Sequence, residues 1–170
     1  DAEMYEDVQT RWQYEHAVLK KTPRQRLERL WRSSRDSART PMQWSDEANA
    51  GFTTSEPWFY VNQNYKEINV AAEERDPDSL LNFYRRAVAL RKSLPVVRYG
   101  TYRERLRASG KLYVYEREHE GARLLVVCSF SDKPVTLSRR ITRGAGELIL
   151  CNYPDSDSMT LRPYEARVYS

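Results

Sequence analysis

The segment SRDSARTPMQW, residues 34–44, holds the residue types whose spacing best suits a chemical task. Asp36 and Arg39 are three residues apart, so their side chains can form a short bidentate pair that holds the guanidinium rigid. A fixed guanidinium beside Trp44 and Trp58 suits a neutral sugar ring, because ring hydroxyls accept its hydrogen bonds while the C–H faces pack on indole. The same two charges can equally form an ion pair that only pins the loop. Composition alone leaves both interpretations open.

The other groups that commonly do chemistry are weaker candidates here. His16 and His119 fall in a predicted helix and a predicted turn, and neither has a Ser or Cys partner nearby in sequence. Cys128 and Cys151 form neither a CxxC pair nor a Cys/His cluster, which disfavours zinc. The RGAGE segment, residues 143–147, is typical of a turn between strands and matches a phosphate loop poorly. No acid stands in a setting that marks it as buried and pKa-shifted. We therefore predict no metal and no cofactor.

The charge pattern disfavours a nucleic-acid binder. The chain carries 28 basic and 24 acidic residues, and the acids are interspersed along nearly its whole length, as on a solvated, ion-paired surface. Residues 20–39 are the exception, and the neighbouring Trp12, Trp31 and Trp44 could stack on a strand of nucleic acid. We favour a helix with a basic solvent face, because the arginines follow helical spacing.

The same composition bears on location. No run of apolar residues approaches the ~18 residues of a membrane span, and no signal peptide is recognisable. Both cysteines lie in apolar, strand-like runs, which predicts buried free thiols and a reducing, cytoplasmic setting. Because the first residue is Asp rather than Met, we also expect a fragment or a processed product.

The elements that must position these residues change character near Leu94, from helices and loops to short strands. Thr22, Pro23 and Gln25 form a capping box that begins one helix, and the clearest helix follows Asp76 or Asp78 and ends before Pro95. Between these helices, residues 34–67 read as a long loop, which is commonly functional.

After residue 94 the apolar runs are short and are separated by turn residues, as in antiparallel β structure. The EHEG segment, residues 118–121, predicts a hairpin. The run LLVVCSF, residues 124–130, is apolar at consecutive positions and predicts a central strand of a sandwich, covered on both faces. The sequence therefore predicts an α+β chain.

Three segments carry a resemblance to a known family: SRDSARTPMQWSDEANAGFTTSEPWFYVNQNYKEINV, PDSLLNFYRRAVALRKSLPVVRYGTY and LRPYEARVY. Together they resemble the α-glucosidases of the α-amylase superfamily, glycoside hydrolase family 13, of the oligo-1,6-glucosidase, dextran glucosidase and trehalose-6-phosphate hydrolase type. The resemblance runs from about residue 34 to residue 170. Before residue 34 the chain is similar only in its helical character.

The resemblance implies an arrangement in which a (β/α)8 barrel carries catalysis and an antiparallel β-sandwich follows it. Residues 1–94 would be helices and an active-site loop from the end of the barrel, and residues 95–170 would be the sandwich that braces it. Residues 34–44 would lie in the long loop after the last barrel strand. The earlier barrel strands would belong to a missing part of the protein, which is the partner we expect for this chain.

For function, the resemblance implies a retaining glycosidase that acts on terminal α-glucosidic bonds of short oligosaccharides. The family's catalytic carboxylates sit on motifs that this chain lacks, so no acid here receives a catalytic role and the chain alone is predicted to be inactive. By resemblance, Arg39 reaches the glucose ring, and Arg35 and Asp36 support the loop. Ser37 stands where the family often has Asn. The alternative that we keep is a free-standing, non-catalytic carbohydrate-binding module.

Overall fold

The computed structural model describes residues 5–16, 22–154, 156 and 158–170. The chain divides into two compact units, Asp1–Ser79 and Leu80–Ser170. Helices and antiparallel sheet are both present, as the sequence predicts. Of the helices that the described residues form, none is long and apolar enough to cross a membrane.

The first unit is built from helices and turns. Its α-helices are α1 (Val8–His16), α2 (Pro23–Ser33) and α3 (Val70–Arg75). The predicted capping box of α2 is confirmed, since the Gln25 amide donates to Thr22 Oγ1 at 3.3 Å and the Thr22 amide donates to Gln25 Oε1 at 3.1 Å. The segment predicted as a long loop contains three short 3₁₀ turns, Arg35–Ala38, Ala48–Gly51 and Gln63–Lys66.

The second unit begins with α4 (Leu80–Ser93) and the short α5 (Pro95–Tyr99), so the predicted helix does end before Pro95. The described residues of this unit then form seven strands: β1 (Thr101–Glu104), β2 (Leu112–His119), β3 (Ala122–Ser129), β4 (Val135–Thr136), β5 (Leu148–Cys151), β6 (Thr160–Leu161) and β7 (Ala166–Tyr169). They form a five-stranded antiparallel sheet in the order β1-β2-β3-β7-β5 and a two-stranded sheet of β4 and β6.

The predicted hairpin and the predicted central strand are both confirmed. His119 pairs with Ala122 across a two-residue turn, in which Glu120 and Gly121 have φ values of 49° and 83°. This left-handed pair matches the twist of the two strands. Strand β3 is the middle strand of the five, and Leu124, Leu125, Val126 and Val127 are all buried.

The core of the second unit joins its two sheets. Leu112 and Val114 from β2 pack with Leu125 and Val127 from β3, and Leu137 and Leu161 contribute from the β4–β6 side. Cys128 and Cys151 are free thiols, but both are half-buried rather than fully buried as predicted. Burial raises the pKa of the Cys128 thiol.

Candidate functional site

The segment of residues 34–44 is fixed at both of its ends by hydrogen bonds. At the start, Ser34 Oγ accepts from the Asp36 amide at 3.2 Å, and the 3₁₀ turn closes when the Arg39 amide donates to the Asp36 carbonyl at 3.0 Å. At the far end, the Gln43 and Trp44 carbonyls accept from the first two amides of α3 at 2.9 and 3.0 Å. These hydrogen bonds hold the backbone of the segment in one conformation, which a positioned side chain requires.

Asp36 is the buried anchor of the segment, with 1% of its surface exposed. Its Oδ2 atom accepts from the backbone amides of Glu6 and Asp7 at 2.8 and 2.9 Å. These two residues lie 30 and 29 positions earlier in the chain. A buried carboxylate is costly unless it is hydrogen-bonded, so these amides tie the loop to the stretch that precedes α1.

Asp7 is a second buried carboxylate, and it also caps α1. Its Oδ2 atom accepts from the amide and the hydroxyl of Thr10 at 3.0 and 2.9 Å, and its Oδ1 atom accepts from Arg35 Nη2 at 2.6 Å. Burial acts to raise the pKa of Asp7, but the bonds from Thr10 and Arg35 outweigh it and leave the pKa below its usual range. Asp7 is therefore a fixed negative charge at neutral pH.

Arg39 lies between the two carboxylates. Its Nη1 atom is 3.7 Å from Asp7 Oδ1 and 3.9 Å from Asp36 Oδ1, and 46% of the side chain is exposed. The predicted short bidentate pair of Asp36 and Arg39 is therefore wrong, because backbone amides occupy one oxygen of Asp36 and the other stays beyond hydrogen-bonding distance. The two carboxylates orient the Arg39 guanidinium by charge, but its N–H groups form no hydrogen bond with either of them.

The two tryptophans predicted near this arginine are exposed but make no ring contact with it. Trp44 is 50% exposed and Trp58 is 74% exposed, and neither indole lies over the Arg39 guanidinium. Trp58 instead packs edge-on against the buried ring of Phe59, with centroids 5.3 Å apart. The structure thus brings together Arg35, Asp36 and Arg39, and it leaves both indoles as separate exposed surfaces.

Sequence reasoning missed three members of this network: Asp7, Thr10 and Ser34. Thr10 Oγ1 donates its one hydrogen to Asp7 and lies 3.1 Å from Ser34 Oγ, whose hydroxyl can donate to it, and so links α1 to the loop. The DVQT segment, an aspartate three residues before a threonine at the start of a helical pattern, carries an N-cap signal that marks Asp7. Nothing in the sequence indicates that Arg35 also bonds to it.

This arrangement suits binding better than proton transfer. The bonds from Thr10 and Arg35 keep the pKa of Asp7 below its usual range, so Asp7 is not poised to exchange a proton near neutral pH. Asp36 Oδ2 already accepts from two backbone amides. The half-exposed guanidinium can donate to hydroxyl oxygens. Among the described residues, no group of three or more His, Cys, Asp or Glu side chains is placed to hold a metal ion.

The family model described as "Alpha amylase, catalytic domain" matches residues 5–100, which is more than half of the chain. The chain belongs to the alpha-amylase family. Every residue of the network just described lies within the matched region.

Similar proteins agree with this membership. The oligo-1,6-glucosidase of Parageobacillus thermoglucosidasius is 40% identical over 176 residues, which cover 98% of this chain and 31% of that protein. The trehalose-6-phosphate hydrolase of Escherichia coli (strain K12) is 41% identical over 137 residues, which cover 78% of this chain and 25% of that protein. A crystal structure of the Bacillus licheniformis trehalose-6-phosphate hydrolase superimposes with a TM-score of 0.89 at 35% identity, covering 99% of this chain and 32% of that one. The chain thus spans about a third of the length of these relatives.

Proposed function

We propose that this chain is the C-terminal part of a retaining α-glucosidase, which hydrolyses terminal α-glucosidic bonds of short oligosaccharides. The observation that carries the proposal is the placement of Arg39, half-exposed between the carboxylates of Asp7 and Asp36. The relatives reported above are named as glycosidases, and the chain corresponds to only about a third of them. In this proposal the chain supplies one wall of the substrate pocket and no catalytic carboxylate.

In the parent enzyme, Arg39 donates hydrogen bonds to hydroxyls of the glucose ring in the innermost subsite. Arginine suits this task because its planar fork makes two parallel hydrogen bonds and stays charged at any working pH. Arg35 and Asp36 support it by tying the loop to Asp7 and to the Glu6 and Asp7 amides. Trp44 and Trp58 offer exposed indole faces that can pack against sugar C–H groups.

The proposed division of the chain is residues 1–94 as the end of the catalytic barrel and residues 95–170 as the sandwich that braces it. The core that joins the two sheets supports a sandwich. The exposed face of α4 supports its place in a barrel: Leu80, Tyr84 and Val88 recur every four residues and are 67%, 63% and 45% exposed. An apolar stripe of this spacing is typical of a helix that packs on another layer. In the parent, the missing barrel strands are that layer.

The missing part also supplies the reaction's acids. A retaining mechanism needs one carboxylate as nucleophile and another as acid/base on either side of the glycosidic bond. Of the carboxylates nearest to Arg39, Asp7 instead holds the Arg35 guanidinium and Asp36 bonds backbone amides. The proposal includes a cytoplasmic parent with no nucleic-acid or membrane partner.

The stereochemistry of hydrolysis by the full-length parent tests this proposal. We expect the parent to cleave a nitrophenyl α-glucoside and to release glucose first as the α-anomer, as followed by proton NMR before mutarotation. Release of the β-anomer would contradict a retaining mechanism. Saturable binding of short α-glucans with no hydrolysis would replace the proposal with a non-catalytic carbohydrate-binding module.

A further inference from the structure

A second charged group lies in the sheet unit and plays no part in the proposed pocket. We define the arginine cluster as Arg103, Arg105 and Arg123, the three arginines that surround Glu116. Glu116 is 1% exposed. Its Oε2 atom accepts from Arg103 Nη2 at 2.8 Å, and its Oε1 atom accepts from Arg105 Nη1 at 2.5 Å and from Arg123 Nη2.

The cluster carries more positive charge than its carboxylate can balance. Three guanidiniums, which stay charged at any working pH, converge on one anion. Glu118 pairs in register with Arg123 and so lies on the same face of the sheet, but it forms no ion pair with any of the three. Even if Glu118 is counted, three cations face two anions. Like charges held this close repel one another, so a further anion would be favoured there.

The cluster also has hydrogen-bond donors to spare. Each guanidinium has five N–H groups. Among the described contacts, Arg103 and Arg105 each donate once, to Glu116, and Arg123 donates to Glu116 and to the Gly144 carbonyl at 3.2 Å. The Arg103 side chain is 69% exposed, and those of Arg105 and Arg123 are 30% and 32% exposed. Glu116 therefore accepts from only a small share of the N–H groups that the three guanidiniums offer.

The turn that contains Gly144 lies against the Arg123 side chain. Gly144 has a φ of +75°, and a Cβ atom added there would lie 2.8 Å from Arg123 Nη1. Glycine suits the positive φ of this position, and a side chain there would displace the flexible end of Arg123. Arg143 precedes it in the sequence and adds to the basic character of this turn.

We propose that the arginine cluster is a binding site for a phosphate group, carried either by inorganic phosphate or by a phosphate monoester. Three guanidiniums, from β1, from the residue that follows it and from β3, flank Glu116 of β2 and together offer enough N–H groups for the three free oxygens of a tetrahedral anion. The site belongs to the unit of residues 80–170 and does not depend on the proposed glycosidase function.

The test is a titration of the 170-residue chain with inorganic phosphate and, separately, with glucose 6-phosphate, at constant ionic strength. Heteronuclear NMR follows the backbone amides and the arginine Nε groups, and calorimetry gives the affinity. We expect saturable shifts at residues 103, 105, 123 and 144. Tighter binding of glucose 6-phosphate would identify a monoester as the ligand, and equal binding would show that phosphate alone is recognised.

Two matched variants decide whether the cluster is responsible. Arg103→Gln removes the most exposed member and leaves Glu116 with two arginines, so we expect phosphate to bind about fivefold more weakly or worse. Arg107→Gln removes the same charge at an exposed position outside the cluster and should leave affinity nearly unchanged. The same pair is compared in the full-length parent through the rise in Tm that phosphate causes. Equal weakening by both variants, or no saturable shift at the cluster, would overturn the proposal.

Discussion

Arg39 differs from Arg35 in what its guanidinium touches, and this makes its role separable from the stability of the loop. Arg35 Nη2 bonds to Asp7 at 2.6 Å, whereas Arg39 approaches both carboxylates no closer than 3.7 Å. Asp36 is different again, because its carboxylate bonds backbone amides rather than either arginine. The proposed substrate contact and the stability of the loop therefore rest on different side chains.

The first prediction concerns Arg39→Lys in the full-length parent. Lysine keeps the charge but loses the fork, and a hydrogen bond to a charged group contributes about 1.5–3 kcal/mol, so kcat/KM should fall roughly tenfold to a hundredfold. The Tm should barely change. Asp36→Asn should instead lower the Tm, because the buried carboxylate that accepts from two backbone amides is lost.

Steady-state kinetics and thermal unfolding of both variants separate the two roles. Arg35→Lys is the matched control and should leave kcat/KM within a few-fold of the original. If folded Arg39→Lys enzyme keeps its full kcat/KM, Arg39 is a structural partner of Asp36 and does not contact substrate.

A second prediction at this scale concerns Glu165, which is fully buried with Arg167 in the sheet unit. Burial acts to raise the pKa of Glu165, but the bonds from Arg167, Ser156 and the Arg162 amide outweigh it and lower the pKa to about 2. The folded state thus binds the proton less tightly than the unfolded state. The stabilisation is complete above the unfolded pKa, near 4.5, and is lost as the pH falls towards 2.

We therefore expect the Tm of the chain to fall steeply between about pH 5 and about pH 2, and Glu165→Gln to flatten that fall. The variant should also lose about 3–5 kcal/mol of stability at neutral pH, because Arg167 is left buried without its carboxylate. Circular dichroism melts across this pH range give both quantities. Glu147→Gln, at an exposed position in the same unit, is the control. Parallel pH curves for the original chain and Glu165→Gln would contradict the assignment.

Among the elements, the β2–β3 hairpin depends on two residues in left-handed conformations. Gly121 has a φ of +83° and open space around its Cα, so Gly121→Ala tests the backbone alone. We expect it to cost about 1–2 kcal/mol of unfolding free energy. Glu120 has a φ of 49°, and Glu120→Gly should stabilise the turn because glycine adopts this conformation without strain.

Urea unfolding of the two variants measures these changes. Gly110→Ala is the matched control, since a Cβ there also meets no atom within 4 Å but its φ lies outside the left-handed region. A loss of stability in Gly121→Ala no larger than in Gly110→Ala would show that the turn conformation does not limit stability.

The elements that the sequence predicts correctly are those set by local signals. The capping box at Thr22, the EHEG hairpin and the buried run at residues 124–127 each depend on residues a few positions apart. The site network could be predicted only in part. Asp36 and Arg39 are only three residues apart in sequence, but the bonds that define the geometry of Asp36 come from residues 29 and 30 positions away. The arginine cluster likewise depends on the register of three strand segments, which no local pattern specifies.

For the molecule as a whole, the proposed function assigns substrate binding to this chain and catalysis to the rest of a larger parent. The chain belongs to the alpha-amylase family and spans about a third of the length of its relatives. The apolar stripe of α4 is exposed, and the carboxylates beside Arg39 are bonded to Arg35 and to backbone amides. In the proposed arrangement, this chain supplies one wall of the substrate pocket and the sandwich that braces the barrel, and the rest of the parent supplies the catalytic acids. This arrangement accounts for these features together.

The measurement that tests this central claim most directly is hydrolysis of a nitrophenyl α-glucoside by the purified 170-residue chain and by the full-length parent, side by side. The parent should release nitrophenol, and the chain alone should release none above the uncatalysed rate, because its carboxylates near Arg39 are already hydrogen-bonded to backbone amides and to Arg35. Turnover by the chain alone that disappears when one of its own acids is replaced would contradict the claim, since the catalytic centre would then lie on this chain.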